Sequence, residues 1–498
     1  MGDGAGGPEP MVVSIYDLRR DGPFVTLDFG IRCENPSAGC DAGSLFAFVS
    51  LRQANTPATI KARGNTAGGV MLIDPSSSRE YQAVTDSAGR PFASSLPFHI
   101  SDSLVHLAWV TFPAPPASVG SMSVAFPMGG PVVANVPIGS QSAPTPSEVG
   151  SGAVATTAAP FAVPPGTTST AGLTLPVKNL ISTVGNTSGS DSESSNQATI
   201  ALRADVLFQF DKATLTSRAH SVISQVADRI KARAVGVVRV DGYTDSIGTD
   251  QVNIPLSQAR AASVVRALKP LTAGAPITFQ TAGHGSSDPV APNTLPDGKD
   301  NPAGRALNRR VTISFNVKRP VAATPLPAAT PSRPTAGSSG SATFTAPQSS
   351  GGADAYQVTA NNLYRNGNTL VLRLTITCRK SADGSSSGTC SGADFAGTPT
   401  IPPVPSSQQF SFQTQGDTAS AIYLTDPASG TQSIPLRDTD GVALTAAVNP
   451  SIKVGDSYPL WLIYPAPPTT TSSETVVLPG GGSRIGPMSI ASGPPASQ

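Results

Sequence analysis

Two stretches near opposite ends of the chain alternate apolar and polar residues with a period of two. The apolar positions are Val25, Leu27, Phe29, Ile31 and Cys33 in the first stretch and Leu370, Leu372, Leu374, Ile376 and Cys378 in the second. A strand places successive side chains on opposite faces, so this pattern predicts strands with one buried face. Several such runs, separated by turns rich in Gly, Pro, Asp and Ser, predict a β-sandwich of about 130 residues in each half.

The two halves also match each other in sequence. The matching segments are 17–22 with 362–367, at an offset of 345, and WVTFPAPP (109–116) with WLIYPAPP (461–468), at an offset of 352. The two constant offsets differ by one net insertion of seven residues, so we expect an internal repeat. Trp109 and Trp461 lie in predicted late strands, where we expect them to be core packing anchors, with ligand stacking as the alternative.

The middle of the chain has helical periodicity instead. A stripe of apolar residues predicts a helix over 216–233, with Thr216 as its N-cap; the stripe is Ala219, Val222, Ile223, Val226 and Ile230. A second helix is expected to begin no earlier than about Val252, because of Pro255, and to stop at Pro270; its stripe is Ala261, Val264, Val265 and Leu268. Strands are predicted at 204–210, 235–241, 277–283 and 309–315, which gives an α/β or α+β domain.

The composition divides the chain into domains and linkers. Pro and Gly supply 48 residues each, and two stretches rich in Ser, Thr, Ala, Pro and Gly have too few large apolar residues to fold alone. The expected divisions are a first β-sandwich copy at 1–138, a linker at 139–171, a central domain at 172–318, a linker at 319–354 and a second β-sandwich copy at 355–498.

Charge and cysteine usage restrict the environment and the partners. The chain has 33 basic and 32 acidic residues, a formal net charge of +1, which does not favour nucleic acid as a partner. No apolar run is long enough to predict a transmembrane segment, and no secretory signal is visible. Cys33 with Cys40, and Cys378 with Cys390, are spaced for two short disulfide loops, which would indicate an oxidising, extracytoplasmic compartment; free thiols are the alternative.

Catalytic motifs are not evident. The four histidines are scattered, and neither a metal-binding His or Cys cluster, a nucleophile elbow nor a phosphate-binding loop is present. We therefore expect a protein that is not an enzyme and needs no cofactor or metal.

Four motifs of the central region, in order, resemble the OmpA-like C-terminal domain. They are LFQFDKATL (207–215), GYTDSIGTDQVNIPLSQARAASVVRAL (242–268), GHGSSDPVAPN (283–293) and GRALNRRV (304–311). The resemblance covers about 204–316 and implies a β-α-β-α-β-β core that binds peptidoglycan without catalysis. The flanking repeats resemble no family that we recognise.

The resemblance also implies the ligand and its contacts. That ligand is the diaminopimelate residue of the peptidoglycan stem peptide, whose end group carries an ammonium and a carboxylate. Asp245 would accept the ammonium and Arg260 would grip the carboxylate with two parallel hydrogen bonds, which Lys cannot do. The implied binding residues are Asp245, Arg260, Asn253, Thr244, Asp211 and Arg309.

Structural alternatives exist for most of these residues. Asp245 alone would cap a turn, Arg260 alone would be a solvated helix residue, and Asp211 would be an acid at a helix start. Arg309, like Arg310, could form a structural ion pair. The sequence also departs from the family pattern: Tyr243 replaces the usual His, Pro255 lies early in the second helix, and residues 297–303 are an insertion.

The leading hypothesis is a non-catalytic cell-envelope protein, in the cell wall, the periplasm or at the cell surface, that binds the stem peptide through its central domain. Its two sandwiches would sit on flexible linkers and engage a further, protein partner. The alternative is a surface adhesin or assembly scaffold in which the sandwiches carry the function and the central domain is a spacer. A wall hydrolase with its site in the sandwiches is a third hypothesis.

Overall fold

The computed structural model describes most of the chain outside its Ser- and Pro-rich stretches. The described residues are 11–37, 39–40, 66–97, 99–127, 130–139, 154–155, 169–186, 188–295, 298–318, 339–348, 351–385, 388–395, 419–446, 451–479 and 482–494. They form many strands in several sheets and few helices. In this part of the chain, no helix combines the length and the apolar character needed to cross a lipid bilayer.

Copy 1 of the expected repeat forms two sheets around one core. Its strands are β1 (Met11–Asp21), β2 (Phe24–Cys33), β3 (Met71–Asp74), β4 (Arg79–Tyr81), β5 (Val105–Pro113), β6 (Ser121–Ala125), β7 (Val132–Pro137) and β8 (Val154–Ala155). One sheet has the order β1-β2-β5-β8, and the other has the order β7-β6-β3-β4, extended by β9 (Val177–Asn179). The alternating residues from Val25 to Cys33 all point into the shared core, as their periodicity predicts.

The second repeat has the corresponding arrangement. Its strands are β16 (Gly340–Pro347), β17 (Ala353–Asn366), β18 (Thr369–Lys380), β19 (Thr389–Ser391), β20 (Tyr423–Thr425), β21 (Gln432–Ser433), β22 (Ser451–Lys453), β23 (Ser457–Pro465), β24 (Ser473–Val477) and β25 (Arg484–Ser489). The orders are β16-β17-β18-β23 in one sheet and β21-β20-β24-β25 in the other, with β19 and β22 as a separate pair.

The offset of 352 in the sequence recurs in the strands. It relates β5 to β23, β6 to β24 and β7 to β25, both at their first and at their last residues. Side-chain contacts recur as well: Arg20 donates to the carbonyls of Pro115 and Pro116, and Arg365 donates to those of Pro467 and Pro468. The prolines of PAPP lack N–H groups but keep their carbonyls, so each arginine fastens the end of its strand to the adjoining hairpin.

Both predicted disulfides are present. Cys33–Cys40 and Cys378–Cys390 span Cα–Cα distances of 5.7 and 5.9 Å, within the usual range for disulfides. The described residues include no free cysteine.

The central region contains strands and four helices. Its strands are β10 (Ser182–Asn186), β11 (Gly189–Glu193), β12 (Gln197–Arg203), β13 (Ala234–Tyr243), β14 (Ile277–Gly283) and β15 (Arg310–Val317), and its helices are α1 (Ala204–Leu207), α2 (Ser217–Arg233), α3 (Asp250–Leu271) and α4 (Pro302–Asn308). The sheet order is β14-β13-β15-β12-β11-β10. The apolar stripes of α2 and α3 pack on this sheet in a single core.

Several local predictions are wrong. Residues 204–210 do not form a strand: the preceding QATIALR occupies the place beside β15, and the chain turns into α1, which buries Ala204 and Leu207. Helix α3 starts at Asp250, because the N–H groups of Val252 and Asn253 both bond to the Thr249 carbonyl and close the first turn before Pro255.

Two further expectations about α2 and α3 need correction. Pro270 does not stop α3, which ends one residue later at Leu271. A proline loses only its own N–H bond and disturbs the carbonyl four residues before it, so one further residue can still be helical. Asp211 is not at a helix start: it lies in the loop before α2 with φ of 55°, six positions ahead of Ser217, where the helix begins.

The copies are not separate arms. Strand β16 lies inside the stretch expected to be a linker, as does the two-residue β8, which pairs with β5. Apolar residues of copy 1 also share a core cluster with copy 2, where the outer face of the β18–β23 sheet lies against the outer face of β3 and β6. The residues of copy 1 in this contact are Met71, Ile73, Ala125 and Val132.

The two tryptophans differ because of this contact. Trp461 is 1% exposed and its Nε1 donates to the carbonyl of Phe126, 2.9 Å away in the other copy. Trp109, its counterpart, is only half-buried. Trp461 is therefore a packing anchor as predicted, although between the copies, whereas Trp109 is not a core residue.

We predict that Glu474 makes the stability of copy 2 depend on pH. Glu474 is 2% exposed, its Oε2 has no hydrogen-bond partner among the described residues, and burial raises its pKa to about 8. A raised carboxyl pKa stabilises the fold at low pH and loses that contribution as the pH rises from the unfolded value towards 8. Glu474→Met, which copies Met122 at the same position of copy 1, should therefore increase the free energy of unfolding at pH 8.

Chemical denaturation at several pH values tests this prediction. The difference between Glu474→Met and the wild type should grow by about 1 kcal/mol per pH unit between pH 5 and pH 8. Substitution of the exposed Glu34 by Gln is the control and should show no such slope. A constant difference across this range would contradict the account.

Candidate functional site

The predicted binding residues surround the start of helix α3. This helix approaches the ends of β13 and β14 so closely that a Cβ on Gly242 would lie 2.1 Å from the carbonyl oxygen of Ser257, and one on Gly283 would lie 2.3 Å from the nitrogen of Gln258. Only glycine permits this approach. The close packing fixes the helix, and with it Arg260, against the turn that carries Asp245.

Asp245 is 8% exposed and holds both a turn and an ion pair. Its Oδ1 accepts a hydrogen bond from the N–H of Ile247 at 3.1 Å, so it caps the turn. Its Oδ2 accepts a hydrogen bond from Arg309 Nη1 at 2.7 Å and lies 3.7 Å from Arg305 Nε. The carboxylate is therefore pre-oriented and faces two guanidinium groups.

Arg309 links two acidic residues. Besides its bond to Asp245, it grips Asp205 with Nε at 3.1 Å and Nη2 at 2.8 Å. Hydrogen bonding to Asp205, and then to Asp245, raises the pKa of the Arg309 guanidinium. Arg309 thus forms the structural ion pair that was the alternative to ligand contact.

Arg260 is buried but weakly engaged. It is 5% exposed, its Nε donates to the Lys212 carbonyl at 3.1 Å, and its guanidinium carbon lies 5.4 Å from the Phe208 ring centre. No described carboxylate comes within 4.0 Å of its nitrogens, and its Nη1 and Nη2 donate to no described residue. Burial lowers the pKa of Arg260, against the attraction of Asp211, Asp205 and Asp245.

Thr244 and Asn253 hold the backbone of the site. The Asn253 Nδ2 donates to the Ile247 carbonyl at 3.0 Å, and the Thr244 hydroxyl donates to the Asp245 carbonyl at 2.9 Å. Both residues are nearly buried. These bonds shape the turn around Asp245 and use the Thr244 hydroxyl and one N–H of the Asn253 amide.

The structure thus brings Asp245, Thr244, Asn253 and Arg309 into direct contact around one turn. Arg260 and Asp211 lie on the neighbouring side, where Asp211 acts on Arg260 through charge alone. Sequence reasoning missed Asp205 and Arg305, which complete the ion-pair network. The signal for Asp205 was hidden because its segment was interpreted as a strand.

The residue that departs from the family pattern, Tyr243, belongs to a stack. Its ring lies 4.9 Å from that of His284, and the Arg310 guanidinium lies 3.8 Å from its centre on a cation–π contact. His284 Nε2 is 3.0 Å from Asp241 Oδ1. Burial lowers the pKa of Arg310 to about 10. This stack supports the loops beside Asp245 without a histidine at position 243.

Large apolar side chains are exposed on segments of the site. Phe210 is 97% exposed beside Asp211, and Ile247 is 63% exposed two residues after Asp245. Val252 and Ile254 in the first turns of α3 are 60% and 45% exposed. The described residues contain no group of three or more His, Cys, Asp or Glu side chains that could hold a metal ion.

The family model of the OmpA family matches residues 207–302. Residues 207–302 form an OmpA-like domain. The match contains Asp211, Asp245, Asn253 and Arg260, whereas Asp205 and Arg309 lie outside it.

Curated relatives of the OmpA-like domain come from different proteins. Outer membrane protein A of Bordetella avium is 38% identical over 119 residues, 24% of this chain and 57% of the relative. Peptidoglycan-binding protein ArfA of Mycobacterium tuberculosis is 39% identical over 112 residues, 22% of this chain and 32% of the relative. Photosystem I P700 chlorophyll a apoprotein A2 of Gloeobacter violaceus is 38% identical over 114 residues, 23% of this chain and 13% of the relative. The chain spans less than two thirds of each, so the likeness concerns one domain.

We predict that Arg260 costs the OmpA-like domain stability. Its lowered pKa means that burial of the charge outweighs the attraction of the surrounding carboxylates, so an apolar side chain of similar length should suit the site better. Arg260→Met should therefore raise the free energy of unfolding by about 1 kcal/mol at neutral pH.

Urea denaturation measures this difference. Arg266→Met, on an exposed position of the same helix, is the matched control and should change the stability by less than about 0.5 kcal/mol. A clear loss of stability in Arg260→Met would show that Arg260 has a structural role instead.

Proposed function

We propose that this chain is a non-catalytic cell-envelope protein that binds peptidoglycan through its OmpA-like domain. The observation that carries the proposal is the state of Arg260, which is buried near the pre-oriented Asp245. Its Nη1 and Nη2 donate to no described residue. One relative, ArfA of Mycobacterium tuberculosis, is called a peptidoglycan-binding protein, and it aligns with 22% of this chain.

The proposed ligand is the diaminopimelate residue of the stem peptide. Its carboxylate would bond to the two terminal nitrogens of Arg260, which Nε bonding to the Lys212 carbonyl leaves free and holds in orientation. Its ammonium would approach the carboxylate of Asp245. Arg309 can yield part of that carboxylate because it keeps two hydrogen bonds to Asp205.

A buried guanidinium without an anionic partner favours a ligand that brings the missing charge. Folding has already removed most water from the Arg260 guanidinium. A ligand carboxylate that pairs with it therefore does not meet that desolvation cost again on binding. Thr244 and Asn253 contribute by fixing the turn, not by contact. The negative charge of Asp211 lies near Arg260 and would attract the ammonium of the ligand, not its carboxylate.

The flanking repeats are proposed to be β-sandwich domains near 1–138 and, because β16 joins the sheet of copy 2, near 340–498. Each has two sheets that contribute to one core, as a sandwich requires. Two disulfides favour an extracytoplasmic location for both. Since the copies pack on each other, a protein partner would bind their remaining surfaces.

Co-sedimentation of the full chain with purified sacculi tests the proposal. The wild type should sediment with diaminopimelate-containing sacculi, and Arg260→Met should raise the apparent dissociation constant at least about tenfold, the effect of losing a charge-assisted contact. Asp245→Asn should weaken binding in the same direction. Arg266→Met, on the same helix, should bind as the wild type does.

The outcomes are separable. Equal sedimentation of Arg260→Met and the wild type would remove Arg260 from the site. Absence of sedimentation of the wild type itself would overturn the function and favour the alternative, in which the OmpA-like domain is a spacer.

A further inference from the structure

The second sheet of each repeat ends at a very short strand. This is β4 (Arg79–Tyr81) in copy 1 and β21 (Gln432–Ser433) in copy 2. An unpaired strand edge exposes a row of backbone donors and acceptors. Neither edge is left open, because β9 pairs with β4 and β10 pairs with β21.

Both added strands come from one continuous segment, residues 174–185, which we name the clamp segment. In copy 1, Thr174 and Thr85 exchange hydrogen bonds of 2.8 and 3.1 Å, and the N–H of Gln82 donates to the Pro176 carbonyl at 3.1 Å. These bonds attach the first half of the clamp segment to the edge of copy 1.

The second half repeats this pattern on copy 2. Ile181 and Arg437 exchange hydrogen bonds of 2.6 and 3.1 Å, and the N–H of Ile434 donates to the Thr183 carbonyl at 3.3 Å. The two sets of partners in the repeats are related by the repeat offset of 352 (437 − 85 and 434 − 82), and those in the clamp segment are related by an offset of seven (181 − 174 and 183 − 176).

The register continues identically through the paired strands. Val177 pairs with Tyr81 and Val184 with Ser433; Lys178 pairs with Glu80 and Gly185 with Gln432. These positions obey the same offsets of seven and 352. The agreement at two hydrogen-bonded positions and two paired positions indicates that the two edges are equivalent strand-acceptor sites.

Lys178 is the position at which the two halves differ most. Lys178 lies on β9, the strand that pairs with copy 1, but its Nζ is 2.8 Å from Asp438 Oδ2 and 2.7 Å from Asp440 Oδ2 in copy 2. Asp438 is fully buried. A buried carboxylate is stable only with a partner, so Lys178 ties the first half of the clamp segment to the second repeat.

The clamp segment also belongs to the central sheet. Residues 182–186 pair with residues 189–193 on their other side, and that strand continues through β12 into the OmpA-like domain. The clamp segment therefore pairs with both repeats and is joined to the OmpA-like domain through β11 and β12.

We propose that the clamp segment is a tandem strand clamp, in which two halves of one segment fill equivalent strand-acceptor sites of the two repeats and couple both to the OmpA-like domain as one unit. Strand addition of this kind gains affinity from main-chain hydrogen bonds and specificity from register. The coupling does not depend on peptidoglycan, so it can be tested without it.

Hydrogen–deuterium exchange of the full chain, read at single amides by mass spectrometry, tests the clamp. The donors in the repeats, Gln82, Thr85, Ile434 and Arg437, bond to the clamp segment and should be protected at least about 100-fold in the wild type. Exchange of these four amides near the rate of unprotected edge amides would overturn the proposal without any variant.

Two proline variants separate the halves. Thr174→Pro removes the N–H that bonds to Thr85, and should lower protection of Gln82 and Thr85 at least tenfold while Ile434 and Arg437 change little. Ile181→Pro should do the reverse. Thr174→Val and Ile181→Val keep the N–H and should leave all four amides as in the wild type.

A loss of protection spread over all amides in either proline variant would show that the repeats depend on the segment for folding. The protection of the four amides in the wild type and the valine variants would then test the proposal. Unchanged protection in both proline variants would contradict the two-site arrangement.

Discussion

The pairing of one segment with a strand edge of each repeat is the interaction on which this architecture depends. The second sheet of each repeat would otherwise end in a strand of two or three residues, and the chain between the first repeat and the OmpA-like domain adds one strand to each. A ten-stranded sheet consequently runs from the OmpA-like domain into copy 2. The rest of the fold, including the contact of Trp461 with copy 1, is compatible with this continuous ladder.

The candidate site follows an opposite principle, because it leaves one charge incompletely satisfied. Asp245 is oriented by its own turn and paired with Arg309, which is secured by Asp205. Arg260 is buried with one backbone contact and acidic neighbours at a distance. A buried charge without an ion-pair partner among the described residues is expensive, which makes Arg260 a candidate functional residue. Arg309 is thus fully engaged in ion pairs, whereas Arg260 is the arginine for which we propose a ligand contact.

Local patterns predicted the elements well where a periodic hydrophobic pattern extended over many residues. The stripe from Ala219 to Ile230 gave α2, and the alternation from Val25 to Cys33 gave β2, because these sequences carry one hydrophobic face each. The Cys pairs are short-range and likewise readable.

Long-range pairings were not readable in the same way. Arg309 pairs with Asp205, which lies 104 residues before it in the chain. The segment around Asp205 alternates as a strand would, but Gln197–Arg203 occupies the strand position beside β15. The burial of Trp461 but not Trp109 depends on which copy meets which face. The two repeats have similar sequences around these tryptophans, so the sequences could not distinguish the environments of Trp109 and Trp461.

Titration of the full chain by calorimetry, with a soluble muropeptide carrying diaminopimelate and with the otherwise identical peptide carrying lysine, tests the central claim most directly. Lysine keeps the ammonium but lacks the carboxylate that we propose Arg260 binds. The account predicts binding of the diaminopimelate peptide and at least about tenfold weaker binding of the lysine peptide, as expected for loss of a charge-assisted pair. Equal affinity for both peptides, or no binding of either, would contradict it.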